Sequence, residues 1–126
     1  MKVETTGQYY KDLNTWDATN RFYLDEIRVF EKRLNSVLKA NTKRDVLAKA
    51  EQFQNQFILQ REQFENILQD LKYEKKKVKS SILGKVPIVK TPLSKTDHLI
   101  QQRVEIAEKI FQETKRDFNR FLSEVL

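Results

Sequence analysis

Lysines 72, 75, 76 and 79 stand at i, i+3, i+4 and i+7, so a helix through them gathers four ammonium groups on one face. Lys85, Lys90 and Lys95 follow, and Glu74 is the only acid between Lys72 and Lys95. That stretch therefore holds eight lysines and a local charge of +7. The whole chain carries +6, so the other 102 residues sum to about −1 and the basicity belongs to one end. Such a cluster can attract phosphate backbones by counterion release, or an anionic membrane surface. Its candidate anion-binding residues are Lys72, Lys75, Lys76, Lys79, Lys85 and Lys90. Tyr73 is the one aromatic among them, and no arginine lies between Arg61 and Arg103, so stacking and bidentate contacts are scarce. The competing reading is a solvated tip whose lysines oppose the negative end of a helix dipole.

Other chemistry finds few residues to carry it. The chain has no cysteine, which removes disulfides, thiolate nucleophiles and thiolate metal sites. Its single histidine, His98, has Lys95 three positions before it, not the Glu of a Glu-x-x-His di-iron motif. Asp97 and His98 are adjacent and fall off the apolar stripe, so no Ser-His-Asp arrangement is available. The two glycines, Gly7 and Gly84, are too far apart for a phosphate-cradling loop. The expectation is a protein that is not an enzyme, with no cofactor, no metal and no small-molecule substrate.

The elements that position these residues are read from a seven-residue apolar repeat found three times. Spacings of 4-3-4-3 connect Tyr9, Leu13, Trp16, Asn20, Tyr23, Ile27, Phe30, Leu34 and Val37. A second set runs Val46, Ala50, Phe53, Phe57, Gln60, Phe64, Ile67, Leu71, Glu74 and Val78. A third runs Ile100, Val104, Ala107, Phe111, Thr114, Phe118, Phe121 and Val125. A period of 3.5 keeps one seam facing partner helices. The fold class is thus all-α: an antiparallel three-helix coiled-coil bundle with a tight first turn and a long second loop. Helices are expected at about 11–40, 43–79 and 95–126, with a loop at 80–94, all in one domain spanning 1–126. Thr42 with Asp45, and Ser94 with Asp97, have the spacing of an N-cap and its N3 acid. Gly84, Pro87 and Pro92 all fall in the second loop, whose apolar residues (Ile82, Leu83, Val86, Ile88, Val89 and Leu93) suggest a plug over the open end of the bundle. With no apolar leader at the amino terminus and no apolar run of about 20 residues, a cytoplasmic protein is expected.

Two further features stand out against these seams. Asn20, Gln60, Thr114 and Glu74 interrupt them. Folding the chain at its turns brings Asn20 beside residue 63 and Gln60 beside residue 114, so the first three form a mid-bundle polar layer expected to set helix register. Glu74 is expected to pair with lysines of the basic end. Off the seams, Phe22 and Val29 are seven apart on helix one, and Leu99 and Ile106 seven apart on helix three. Two such lines suit a fourth helix from a protein partner or a second copy of the chain. The layout of three heptad helices with Trp16 early in the first resembles a spectrin-type repeat in architecture alone. The apolar second loop departs from that pattern, and no residue role carries across. The leading functional expectation is a non-enzymatic protein-interaction, scaffold or assembly module using an outer apolar face. The alternative is an anion-binding accessory protein, with nucleic acid or an anionic membrane surface as partner.

Overall fold

A computed structural model describes the backbone of residues 6–82 and 90–126 and the side chains of residues 7–81 and 99–126. Three helices run through the described residues, α1 (Thr6–Ala40), α2 (Arg44–Ile82) and α3 (Lys90–Val125), and no strand occurs among them. The apolar seams bury as their spacing requires. Leu13, Ile27, Phe57, Phe64, Ile67, Leu71, Phe111 and Phe118 are wholly removed from solvent, and Trp16, Val46 and Val125 pack half-buried at the margin. Among the described residues no helix is long and apolar enough to cross a membrane.

Ring contacts set the direction and register of the helices. Tyr23 stacks on Phe64 and Phe30 on Phe57, so α2 descends as α1 ascends and the pair is antiparallel. Tyr23 also meets Phe111, and Phe30 meets Phe118, so α1 and α3 run in the same direction. Gln60 bonds Thr114 while Arg103 bonds Asp70, which makes α2 and α3 antiparallel.

Helix ends differ from the sequence expectation in instructive ways. Helix α1 begins at Thr6, not near residue 11, because Tyr9 is buried and its hydroxyl donates to Glu74 at 3.0 Å, docking the first turns on α2. It ends where Asn41 donates both its backbone N–H (3.1 Å) and its side-chain Nδ2 (2.9 Å) to the Val37 carbonyl. The first bond of α2 runs from Leu47 N–H to the Lys43 carbonyl. The N-cap is therefore Lys43, with Thr42 one position outside, and Asp45 serves instead as the acid of the first turn. Helix α2 continues to Ile82, since no helix breaker occurs before Gly84. Helix α3 starts at Lys90, so Ser94 and Asp97 lie inside it and do not cap it. Pro92 falls in that first turn, where its missing N–H removes no helical bond. The expected plug maps largely to residues 83–89 and to the side chains of 82–98, outside the described residues, as does the His98 side chain.

Candidate functional site

Three outer grooves separate the helices, and their chemistry differs. The groove between α1 and α2 encloses about 630 Å³ and is lined by Arg21, Lys72, Lys75, Lys76 and Lys79 against two acids, Asp17 and Glu65. The helical spacing of the lysines thus becomes one basic wall. Helix α1 supplies the opposite wall, because the Tyr23–Phe64 register brings Asp17 and Arg21 to the level of α2 residues 66–70. Asp17 Oδ2 accepts from Lys75 Nζ at 2.9 Å and Oδ1 from Arg21 Nε at 2.6 Å. Half-buried Tyr10 and Leu68 contribute apolar surface. The sequence reading missed Asp17, Arg21 and Tyr10; the i, i+4 Asp17–Arg21 pair was visible, but its meeting with the lysine face depends on register. Lys85 lies outside the described residues, and so do the side chains of Lys90 and Lys95.

Burial of Asp17 would raise its pKa, but the hydrogen bonds and charges of Lys75 and Arg21 outweigh that and hold the carboxyl below its ordinary value. A depressed carboxylate stabilises the fold above its unfolded pKa, about 3.9, and that contribution is lost as pH falls through the folded value. Asp17→Asn should therefore cost about 1 kcal/mol at neutral pH, a modest figure because Arg21 is well exposed. In urea denaturation the deficit relative to the unaltered chain should shrink below about pH 4 and vanish once the carboxyl is protonated. A deficit equally large at low pH would show that the ion pairs are not its source.

The apolar lines fall on two different faces. Leu99, Arg103, Ile106 and Ile110 share one stripe of α3, and Arg103 bonds Asp70, so this stripe borders α2. Leu99, Ile106 and Ile110 are 59%, 53% and 39% exposed. The same antiparallel register carries exposed Tyr73, one turn past Asp70, to the level of Leu99. Farther along this groove, Phe53 and Phe121 floor a depression of about 320 Å³. Phe22 and Val29, also exposed, flank Glu26, which accepts from Lys115 of α3 at 3.3 Å. They thus border the opposite side of α3. One added helix can cover the Leu99–Ile106 line or the Phe22–Val29 line, not both.

The polar layer is divided. Gln60 Nε2 donates to Thr114 Oγ1 at 2.7 Å, and Thr114 in turn donates to the Ile110 carbonyl at 3.1 Å. That direct contact leaves no space for a ligand between them. Asn20, three residues before Tyr23, falls opposite Ile67, a full heptad or about 10 Å from Gln60. The expected neighbour at residue 63 is thus replaced by one about a turn farther along α2. The three-residue turn from Asn41 to Lys43 moves the fold point by only half a residue, and the rest of the offset lies in the Tyr23–Phe64 and Phe30–Phe57 packing. Buried Asn20 instead donates Nδ2 to its own helix at the Trp16 carbonyl, 2.6 Å away. Neither Asn20 Oδ1 nor Gln60 Oε1 receives a hydrogen bond from the described residues. Glu74, expected to pair with lysines, accepts from the Tyr9 hydroxyl, because its seam position turns it into the core while the lysines stay on the outer wall.

No family model, no curated protein and no solved structure matches this chain.

Proposed function

We propose that the protein is a non-enzymatic assembly module that pairs with a second copy of itself through the α2–α3 groove. The observation that carries this reading is the stripe of Leu99, Ile106 and Ile110, three large apolar side chains left exposed on one line beside exposed Tyr73. A core-forming helix normally leaves scattered apolar residues outside; a continuous line of them at i, i+7 and i+11 has the form of a helix-packing ridge. Arg103 lies within the same stripe and pairs with Asp70 on α2, their side chains 39% and 57% exposed, so the surface carries both signs. An isologous contact with two-fold symmetry sets the same patch against itself, and each charge of one copy can then meet its opposite on the other. The second apolar line, Phe22 and Val29, remains outward in this arrangement and is open to a further partner.

The test is mass by light scattering over a concentration series. The unaltered chain should pass from monomer to dimer as concentration rises. Leu99→Glu combined with Ile106→Glu should remain monomeric, because burying each side chain is worth about 1.5–3 kcal/mol and two of them alter association by about 100-fold or more. Phe22→Glu with Val29→Glu should leave the dimer intact. A monomeric mass at all concentrations, or a dimer indifferent to the Leu99 and Ile106 changes, would sink this reading.

A further inference from the structure

We propose that the α1–α2 groove is a binding site for a phosphate-rich anion, with a row of phosphate groups lying along Lys72, Lys76 and Lys79 and reaching Arg21. Charge imbalance is the first ground. The other ion pairs that cross between helices among the described residues each join one cation to one acid: Arg61 to Glu31, Arg103 to Asp70 and Lys115 to Glu26. In this groove five cations face two acids, and Asp17 is already shared between Lys75 and Arg21. Positions three and four residues from Lys72 and Lys76 hold Leu68, Gln69, Tyr73, Lys75, Lys79 and Ser80, none of them acidic. The lysines therefore sit at helical spacings where like charges repel.

The helix dipole accounts for only one of them. Its influence fades within the last turn, and α2 ends at Ile82, so Lys79 benefits while Lys72, ten residues earlier, does not. Shape is the second ground. The cations line a concavity between two helices, where low-dielectric walls concentrate the field, and the row from Lys72 to Lys79 is about 10 Å long. A recess of this kind receives a string of phosphates more readily than the plane of a bilayer. The ligand chemistry is common to a free oligophosphate and to the backbone of a single nucleic-acid strand.

Titration with inorganic tripolyphosphate and with a single-stranded oligonucleotide, each at 50 and 200 mM salt, tests the site and separates the two sources. Three phosphate contacts predict about a 20-fold loss of strand affinity between those salt concentrations. Joint replacement Lys72→Glu, Lys76→Glu and Lys79→Glu should abolish binding of whichever probe binds. The control Lys32→Glu, Lys43→Glu and Lys109→Glu makes the same change in net charge on exposed positions elsewhere and should leave it within a few-fold. Should charge reversal unfold α2 by circular dichroism, the Lys→Gln version at the same three positions replaces it, with the same loss expected. Asp17→Asn removes a groove acid and should tighten binding. Failure of both probes to bind at 50 mM salt overturns the proposal. So does equal weakening by the control set, or binding to vesicles of anionic phospholipid with none to the soluble probes.

Discussion

Phe118→Ala should remove about 3–5 kcal/mol of stability, a large part of the roughly 5–15 kcal/mol that holds a domain folded. Phe118 is wholly buried and its ring meets those of Phe30, Phe53, Phe57 and Phe121 at centroid separations of 5.6, 5.2, 5.1 and 6.3 Å. These neighbours come from all three helices, so truncation opens a cavity where α1, α2 and α3 meet. The surrounding rings also meet one another, Phe30 stacked on Phe57 and Phe53 tilted against Phe121, which limits how far they can collapse into the gap. Phe118→Leu, which keeps most of the volume, should cost less than half as much. Chemical denaturation followed by helical circular dichroism measures both. A loss below about 1 kcal/mol for the alanine change would mean that the ring is not central to the core.

At the polar layer the sign of the effect should depend on which partner is removed. Thr114→Val takes away the acceptor of Gln60 Nε2, and Gln60 Oε1 already receives no hydrogen bond, so the whole buried amide is left unpartnered. The expected cost is about 1–3 kcal/mol. Gln60→Leu removes that amide altogether, while the Thr114 hydroxyl keeps its bond to the Ile110 carbonyl. It should be neutral or stabilising, and the double variant should recover most of what Thr114→Val loses. A four-corner cycle of denaturation measurements yields the coupling between the two positions. If both single changes cost the same, the pair acts as a simple mutual hydrogen bond. If the layer selects register, the double variant should keep its helicity yet show more than one set of amide signals by nuclear magnetic resonance.

The extent to which the molecule was legible beforehand varies with the kind of interaction. The three seams could be read because burial in a helix repeats with the backbone's own period: residues such as Leu13, Phe57 and Phe111 are marked by type and spacing together. The pairing of Gln60 with Thr114 could be read as well, since the fold point between α2 and α3 is centred near residue 87 whatever the path of the connection. The pairing of Asn20 could not. The Tyr23–Phe64 and Phe30–Phe57 stacks offset α2 by about one turn from the register that folding at the turn implies, and a shift of that size moves a polar residue from one layer to the next. Helix ends were least legible. Thr42 and Ser94 have the chemistry of caps, but Tyr9 at one end and Pro92 at another let helix extend past the local signals.

The sequence by itself determined the class of fold and the separation of a basic end from a near-neutral body, because both follow from residue type and period along one chain. It also marked the lysine face and the two outer apolar lines. Tertiary structure alone decided which of these features share a surface. It placed Asp17 and Arg21 across from the lysines, making a face into a groove, and it put Phe22–Val29 and Leu99–Ile106 on opposite sides of α3. The physical reason is that a helix specifies the angle of each residue about its own axis, whereas a groove depends on the rotation and axial offset between two helices. Those are set by the Tyr23–Phe64, Phe30–Phe57 and Phe30–Phe118 ring contacts, which no single stretch of sequence contains.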